Sequence, residues 1–359
     1  MFKKIVALFL CLLTLSAVAC KNQKPQESET PKATYQLALI TSDTELELDF
    51  SYASLWEGII SIAEANALSY GFYRPDDMSD SALRQQFSYA IRDGASVIIC
   101  MGDAFKAIVQ ELAKENESIR FILIDASLDE YGKNIHSVQF SRQQGSYIAG
   151  YAAVHDGFRK VAFMGTDKSD ANTDYAYGFV QGIYDAAKVL ETQVEINVSY
   201  VSDHADEESA KEYCKDLYKN GAELIMLSTS DAFSQACATL AVEFFGYTVG
   251  TNHDHSYLAA TLDYNPYITS TMIGLREAID TTLELLIADK WDSELSGKAI
   301  TYGLEKGNYI YLPDHEATWL FSGYTLDDYN QLKNKISQSG VTVNTVFPAE
   351  DNGFVKITE

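Results

Sequence analysis

Basic residues and pairable cysteines are both scarce in this sequence, and each scarcity excludes a class of protein. The chain has 27 lysines and arginines against 51 aspartates and glutamates, which gives a formal net charge of −24 at pH 7. Such a chain repels nucleic-acid phosphates instead of displacing their counterions, so we expect no nucleic-acid partner. Beyond the N-terminal region the cysteines are Cys100, Cys214 and Cys237, in separate strand-like or helical patterns. Nothing in their spacing pairs them, and we expect three buried thiols rather than a disulfide framework.

Sequence motifs for catalysis are also missing. The chain has no phosphate-binding loop, no Gly-x-Gly-x-x-Gly fingerprint and no Gly-x-Ser-x-Gly nucleophile elbow. We therefore predict a protein that is not an enzyme and needs no cofactor. His253 and His255 alternate around Asp254 and could share one face of a strand, but no third ligand follows at a recognisable metal-site spacing. The prediction is no metal, with His253 lining a cleft or its rim.

Long apolar runs are confined to the N-terminus, where the pattern is that of an export signal. Lys3 and Lys4 precede the apolar run 5–15, which is too short to span a hydrocarbon layer about 30 Å thick. The sequence Leu-Ser-Ala-Val-Ala then leads to Cys20, which resembles the lipobox of bacterial lipoproteins. Ala17 departs from that pattern, because a branched residue is usual at its position.

This N-terminus predicts a lipoprotein signal peptide over residues 1–20, with an acylated Cys20 that holds the mature chain at the outer face of the cell membrane. The alternative is an ordinary signal peptide that is cut nearby, with the cysteine incidental. Residues 21–34 contain no large apolar side chain and are expected to form a flexible tether. Delivery or sensing outside the cytoplasm is favoured over metabolism.

From residue 35 onward, short apolar runs alternate with helical patterns. The runs 96–101 and 120–126 are continuously apolar, which is typical of strands covered on both faces. The alternation starts again after about residue 140, so we predict an α/β fold of two doubly wound parallel-sheet lobes joined by hinge strands. Lobe 1 is predicted to comprise 35–140 with a returning segment near 255–295, and lobe 2 to comprise 141–254 with part of 296–359.

Polar side chains follow almost every predicted strand of both lobes. In open parallel sheets, ligands bind in the crevice outside the carboxyl ends of the strands, so these side chains should line a polar cleft. Their oxygens would share hydrogen bonds with a neutral solute rich in hydroxyl or N–H groups. The candidates are Asp43, Asp103, Asp125, Asp167, Asp231, Asn252 and Asp254. For Asp103 and Asp231 a structural alternative stands, since aspartates after strands often cap the next helix.

Two aromatic residues, Phe50 and Tyr52, stand beside the predicted crevice in a segment too polar for the core. An aromatic face there could stack on a planar heterocycle, an interaction worth roughly 1–3 kcal/mol by analogy with nucleotide bases. The alternative is that one of the two packs beneath the following helix. The predicted lining contains no lysine or arginine, so a phosphorylated ligand is not expected.

Several runs of the sequence, taken in order, carry a family resemblance. The most recognisable is Gln-Gly-Ser-Tyr-Ile-Ala-Gly-Tyr-Ala-Ala at 144–153, which Tyr-Gly-Phe-Val-Gln-Gly follows at 177–182. Asp-Phe-Ser-Tyr at 49–52, with Trp-Glu-Gly at 56–58, is similar to a family pattern Asp-Lys-Ser-Phe-Asn-Gln…Trp-Glu-Gly. The chain thereby resembles the basic membrane protein (BMP) family of substrate-binding lipoproteins, whose better-known members are purine-nucleoside receptors of ABC transporters.

The resemblance implies a type I periplasmic-binding-protein fold that closes on its ligand between the lobes. It also implies roles for single residues. Asp43 would bond the edge of a base, Tyr52 would stack on that base, and Asp125 would line the wall of lobe 1. The loop 252–254 would meet the ribose hydroxyls.

Three positions depart from the family pattern and concern the ligand more than the fold. Ala53 stands in place of an asparagine, Asn252 in place of a carboxylate, and Ile273 in place of a lysine. The predicted function is a lipid-anchored receptor that captures a nucleoside or a similar small polar heterocycle, passes it to an ABC permease, and acts as a monomer. The alternatives are a surface sensor without a permease and a secreted hydrolase, for which no activated nucleophile is visible.

Overall fold

Two β-sheets organise the chain in a computed structural model that describes residues 36–42, 45–46, 49–315, 318–347 and 353–358. In chain order the strands are β1 (Leu37–Ile40), β2 (Tyr70–Tyr73), β3 (Val97–Met101), β4 (Arg120–Ile124), β5 (Ile135–Phe140), β6 (Lys160–Gly165), β7 (Val194–Tyr200), β8 (Leu224–Ser228), β9 (Tyr247–Asn252), β10 (Tyr267–Ile273), β11 (Lys298–Tyr302), β12 (Ile310–Tyr311) and β13 (Val355–Thr358). The helices are α1 (Phe50–Ala65), α2 (Asp80–Arg92), α3 (Lys106–Glu115), α4 (Arg142–Asp156), α5 (Asp170–Val189), α6 (Glu207–Lys219), α7 (Asp231–Glu243), α8 (Leu275–Ile287) and α9 (Leu326–Ser337). The predicted signal peptide with Cys20, the predicted tether and Asp43 lie outside the described residues.

The sheets define the two lobes. The sheet of lobe 1 has the order β11-β5-β4-β3-β1-β2, and its pairings are parallel. The sheet of lobe 2 has the order β12-β10-β9-β8-β6-β7-β13, in which β12 runs antiparallel to β10 and the other pairings are parallel. Parallel neighbours need crossover connections, which the helices supply. The predicted α/β fold of two doubly wound lobes is confirmed.

Both faces of the lobe 1 sheet are covered by packed side chains. Leu37 and Leu39 of β1 belong to one apolar cluster, and Ala38 and Ile40 belong to another on the opposite face. None of the four is more than 1% exposed. This two-sided burial explains why the central strands read as continuous apolar runs instead of alternating ones.

Helices α4 and α5 pack backbone to backbone, and glycines make this approach possible. A Cβ atom at Gly178 would overlap the carbonyl oxygen of Gln143, and one at Gly182 would overlap that of Tyr147. The two most recognisable sequence runs, 144–153 and 177–182, therefore form one helix pair. This contact sets the start of α4, at Gln143, against the middle of α5, at Gly178.

Over the described residues, the chain crosses between the sheets three times, at 140–142, 273–275 and 302–310. The predicted return of 255–295 to lobe 1 differs from this course. Strand β10 pairs with β9 in lobe 2, and the segment that returns to lobe 1 is 275–302, which ends in β11 beside β5. The difference arises because pairing with distant strand edges decides sheet membership, and hydrophobic periodicity reports only local structure.

The three cysteines of the described residues are buried and free, at Cys100, Cys214 and Cys237. Cys100 lies on β3, whereas Cys214 on α6 and Cys237 on α7 share one apolar cluster of lobe 2. Within the described ranges, no helix combines the length and the apolarity that a membrane crossing needs.

Candidate ligand-binding site

A cavity of about 670 Å³ lies between the lobes at the carboxyl ends of the lobe 1 strands. Its walls come from the residues after β3 and β4, the end of β5, and the first turns of α4 and α5. The volume falls in the ~300–1,000 Å³ range of small-molecule sites. The titratable and amide side chains in the walls include Asp103, Asp125, Arg142, Gln143 and Asp174.

A larger depression of about 800 Å³ lies elsewhere on lobe 1, lined by Lys114, Arg120, Lys133 and Trp291 among others. Arg120 is the first residue of β4, so this depression lies at the amino ends of the strands. Ligands of open parallel sheets bind at the carboxyl ends. The cavity between the lobes is therefore the better candidate.

An arginine at the start of α4 stands in the wall of the cavity. Arg142 Nη2 donates to Asp125 Oδ2 at 2.5 Å, and the arginine side chain is 5% exposed. Its guanidinium lies over the rings of Phe140 and Tyr175, 5.6 and 5.8 Å from their centroids. Burial lowers the pKa of Arg142, but the charge and the hydrogen bond of Asp125 outweigh burial, so the pKa is raised.

The prediction that the lining contains no lysine or arginine is therefore wrong, because Arg142 lines the cavity. The sequence does hold one signal for this residue. An arginine in the first turn of a helix faces the positive end of the helix dipole, which is unfavourable unless a carboxylate lies nearby. Asp125 is that carboxylate, and it comes from the end of a strand in lobe 1.

Two predicted site residues, Asp125 and Asn252, hold left-handed backbone conformations, with φ of 57° and 68°. The other described non-glycine residues with positive φ lie just beyond helix ends, where this conformation commonly closes a helix. Asp125 instead follows β4 in lobe 1, and Asn252 ends β9 in lobe 2. The Tyr175 hydroxyl donates to Asn252 Oδ1 at 2.9 Å and accepts from the Asn252 backbone N–H at 3.3 Å. Such conformations cost roughly 1–3 kcal/mol each and gather at ligand sites.

The walls of the cavity also contain polar groups without protein partners. Among the described residues, no hydrogen-bond partner meets Arg142 Nε, a donor, or Gln143 Oε1, an acceptor, although both atoms are buried. The pKa of Asp174 is raised to about 6, because burial disfavours the carboxylate more than the charge of Arg142 favours it. Leaving such buried atoms unpaired costs about 1–3 kcal/mol each.

The opposite end of the crevice is closed by contact between aromatic rings. Phe50, at the start of α1 after β1, stacks on His253 after β9, with ring centroids 4.6 Å apart and an angle of 20° between the planes. In the sheet of lobe 1, β3 separates β1 from the other strands nearest the cavity. In the sheet of lobe 2, β8 separates β9 from the strand nearest the cavity. We call the cavity with Arg142 and Asp125 the polar end, and the Phe50–His253 contact with its neighbours the aromatic end.

Asp231, His253, His255 and Tyr257 form a polar cluster at the aromatic end. Asp231 Oδ1 lies 3.3 Å from His253 Nε2 and 3.7 Å from His255 Nε2, while the Tyr257 hydroxyl donates to Asp231 Oδ2 at 2.5 Å. Burial raises the pKa of Asp231, but the hydrogen bonds and charges of its neighbours outweigh burial, and the pKa falls to about 2. Burial, followed by the charge of His253, lowers the pKa of His255 to about 3, so that imidazole is neutral at pH 7.

The two predicted aromatics take different positions. Phe50 is 47% exposed and faces the crevice. Tyr52 is 4% exposed, belongs to the core beneath α1, and donates its hydroxyl to the Met101 carbonyl at 3.4 Å. Tyr52 is therefore the aromatic that packs beneath the helix, which was the alternative to stacking, and its ring is not available for stacking in this conformation.

The remaining predicted carboxylates have local partners. Asp103 lines the polar end and pairs with Lys106 Nζ at 2.8 Å. Asp254 Oδ1 accepts from the Ser256 backbone N–H at 2.9 Å and caps the short turn that follows. Asp167 is exposed and accepts from the Ser169 backbone N–H at 3.0 Å. Of the predicted set, Asp103 and Asp125 line the cavity, while Asp231 and Asn252 lie at the crevice ends of lobe 2 strands.

Comparison with protein families gives one match over most of the chain. A family model described as ABC transporter substrate-binding protein PnrA-like matches residues 40–344. The ABC transporter nucleoside-binding protein BmpA of Lactococcus lactis is 24% identical over 329 residues, covering 86% of this chain and 90% of that protein. A CD4+ T-cell-stimulating antigen of Listeria innocua is 23% identical over 368 residues, covering 96% and 99%. Basic membrane protein A1 of Borrelia garinii is 24% identical over 310 residues, covering 84% and 85%.

Solved structures share the fold. A transcriptional activator of the comK gene from Bacillus halodurans has a TM-score of 0.68 at 18% identity, covering 85% of this chain and 99% of that chain. An ABC transporter solute-binding protein from Aeropyrum pernix has a TM-score of 0.68 at 16% identity, covering 89% and 95%. At these identities the likeness concerns the fold alone.

Proposed function

The chain belongs to the family of PnrA-like ABC transporter substrate-binding proteins, and from this premise we propose that it captures a nucleoside between its lobes and delivers it to an ABC permease. A heterocycle of similar size with hydroxyl groups would fit the same description. Capture is reversible and works by closure of the lobes, as in other bilobal binding proteins, with no bond made or broken. The observation that carries the proposal is the polar end, a cavity of about 670 Å³ at the carboxyl ends of the lobe 1 strands that polar side chains line, among them Arg142 and Gln143. The similarity to a nucleoside-binding protein of Lactococcus lactis supports the ligand class.

The charge of the polar end favours a neutral ligand. Asp125 already pairs with Arg142, so the arginine has no free charge to offer a phosphate. Asp103 and Asp174 add carboxyl groups to the same walls. A nucleoside brings hydrogen-bond donors and acceptors without a charge, whereas a nucleoside monophosphate brings negative charge to an acidic cavity.

The aromatic end supplies the contact between the lobes in this proposal. Phe50 has the exposed ring of the predicted pair, and that ring stacks on His253 of lobe 2. Opening of the lobes would separate the two rings, and closure on the ligand would restore the stack. Asn252, oriented by Tyr175, would offer its amide to the ligand from lobe 2.

Thermal unfolding of the purified full-length protein tests the ligand class. A ligand that binds only the folded state raises the free energy of unfolding by RT ln(1 + [L]/Kd), about 2.7 kcal/mol at a hundredfold excess over Kd. We expect nucleosides to raise the melting temperature, and free sugars and nucleoside monophosphates to raise it far less. No shift with any nucleoside at millimolar concentration contradicts the proposed ligand and leaves the family membership intact.

We also propose that acylated Cys20 anchors the protein at the outer face of the cell membrane and that residues 21–34 act as its tether. Cys20→Ser should abolish incorporation of labelled fatty acid and release the protein from the membrane fraction. Delivery is tested separately, by uptake of labelled nucleoside in cells with and without the gene. Nucleoside binding without any effect on uptake would favour the surface-sensor alternative over import.

A further inference from the structure

Three side chains with metal-binding atoms meet at the aromatic end, outside the cavity of the polar end. One ligand atom from each of Asp231, His253 and His255 lies within 4.8 Å of the other two. We propose that these three residues bind one divalent transition-metal ion, for which zinc is the best fit. The inference depends neither on the nucleoside nor on import.

The distances between the ligand atoms suit zinc. A tetrahedral zinc ion with bonds of about 2.1 Å to nitrogen and oxygen holds its ligand atoms about 3.4 Å apart. Asp231 Oδ1 lies 3.3 Å from His253 Nε2 and 3.7 Å from His255 Nε2. The metal-binding nitrogen atoms of the two histidines lie at most 4.8 Å apart.

The chemistry of the ligand set selects the class of ion. In the described part of the chain, His253 Nδ1 and His255 Nδ1 are buried without hydrogen-bond partners, and the Nε2 atoms are those that face the carboxylate. Two imidazoles with one carboxylate suit zinc and its neighbours, whereas magnesium and calcium prefer oxygen ligands alone. Three protein ligands leave a fourth position for water or a solute, as in zinc sites that remain open.

The groups around the cluster hold its ligands in place. Tyr257 donates to Asp231 Oδ2 at 2.5 Å and so leaves Oδ1 for the ion. Ligating carboxylates in metal sites are commonly oriented by such outer hydrogen bonds. The Phe50 ring covers His253, with centroids 4.6 Å apart. An ion that fixes His253 therefore also fixes the surface on which Phe50 of lobe 1 rests.

Calorimetric titration of the metal-stripped full-length protein with zinc chloride tests the site. We expect one equivalent of zinc to bind. Loss of an outer hydrogen-bond partner typically weakens metal binding about 10–100-fold, so loss of a ligand should weaken it by more than ~100-fold. Asp231→Asn, His253→Gln and His255→Gln should each show that loss, and Tyr257→Phe should weaken binding about tenfold. Cobalt(II), used as a spectroscopic probe, should give the visible absorption of a four-coordinate ion in the wild type and not in the three ligand variants.

His204→Gln is the matched control. His204 also belongs to lobe 2, but it follows β7, which lies three strands from β9 in the sheet, so its variant should keep wild-type affinity. Circular dichroism without metal checks that each variant folds. Because Asp231 is partly exposed, Asp231→Asn should fold even if a change at the buried His255 prevents folding. The proposal is overturned if the wild type does not bind zinc, if Asp231→Asn and His253→Gln keep full affinity, or if His204→Gln loses as much as they do.

Discussion

The two ends of the crevice meet the opposite lobe in different ways. At the polar end the walls stay apart, and about 670 Å³ of space lies between the lobe 1 strand ends and α5. At the aromatic end the lobes touch, with the rings of Phe50 and His253 4.6 Å apart. We interpret the first as the ligand chamber and the second as the contact that holds the closed form.

The ends also balance charge differently. At the polar end the buried guanidinium of Arg142 forms an ion pair with the carboxylate of Asp125. At the aromatic end the single carboxylate of Asp231 is shared by two imidazoles and a hydroxyl. Removing one member of a buried ion pair leaves the other charge uncompensated, which is costlier than removing the acceptor of a partly exposed cluster. Substitutions should therefore destabilise the polar end more.

The largest expected effect comes from Arg142→Met. The change leaves Asp125, whose side chain is 25% exposed, without its partner, so the free energy of unfolding should fall by about 3 kcal/mol. Denaturant unfolding measures this loss, and nucleoside binding should disappear with it. Asp231→Asn at the aromatic end is the counterpart and should cost less than about 1.5 kcal/mol.

The double variant Arg142→Met with Asp125→Asn separates charge from packing. It removes the uncompensated carboxylate, so at least half of the lost stability should return. Equal losses in the single and double variants would mean that Arg142 stabilises the fold by packing on Phe140 and Tyr175, and the contrast between the two ends would no longer rest on charge.

Gly178→Ala should have the next largest effect. Its Cβ would overlap the Gln143 carbonyl oxygen and the Ser146 hydroxyl, and forced overpacking costs about 1–3 kcal/mol. Because Gln143 lines the polar end, nucleoside affinity should fall while zinc affinity at the aromatic end stays unchanged. Lys188→Ala, an exposed change in the same helix, should alter stability by less than about 0.5 kcal/mol. Equal loss of both ligands in Gly178→Ala would show that the ends are not independent.

The sequence predicts most of the lobe architecture because central strands of covered parallel sheets are continuously apolar. Strand β5 escapes that rule. His136 and Ser137 in its interior are 2% and 0% exposed. His136 bonds the carbonyl of Leu295, 159 residues away, and Ser137 bonds that of Ala126, 11 residues away across the following loop. Periodicity shows polar residues but not their distant partners. Strand β13 is a short edge strand in which only Val355 is buried, so it leaves almost no pattern.

Single residues of the candidate site are predictable, but their assembly is not. Strand-end aspartates follow from the rule for parallel sheets, whereas Asp231 meets His255 only because β8 and β9 are neighbours. The two aromatics differ through a helix boundary. The pattern predicts a helix from residue 54, but Asp49 caps α1 by accepting from the Tyr52 backbone N–H, so the helix begins at Phe50 and Tyr52 turns inward. Capping of this kind depends on local geometry that a hydrophobic pattern does not contain.

Phe50→Ala tests whether the aromatic end holds the lobes together. An aromatic pair is worth about 0.5–1.5 kcal/mol, so nucleoside affinity should fall by up to about tenfold when closure loses that contact. Small-angle scattering of the ligand-free protein should show a larger radius of gyration. The control is Phe72→Ala, a similarly exposed ring on β2 of lobe 1, which should change neither quantity. Unchanged scattering and affinity in Phe50→Ala would show that the Phe50–His253 stack does not hold the lobes together.

The smallest expected effect is a pH dependence that belongs to the polar end. Asp174 faces Arg142, Asp170 and Asp125, and its pKa is about 6 in the folded chain against an ordinary value of 3.8. Between those values the folded state holds more protons than the unfolded state, so the free energy of unfolding falls as the pH rises from about 4 to about 6 and remains lower above. The shift would correspond to about 3 kcal/mol, which solvent screening of this half-buried group reduces to about 1 kcal/mol.

Asp174→Asn removes that titration and should be more stable than the wild type by about 1 kcal/mol near pH 7.5, but equally stable near pH 4. Denaturant unfolding at both pH values measures the difference, and Thr173→Ser in the same wall should follow the wild type throughout. A stability difference that is the same at both values would mean that Asp174 keeps an ordinary pKa beside Arg142. The polar end would then stabilise its carboxylates by charge pairing alone. Burial of Asp174 would no longer be a reason to expect a neutral ligand there.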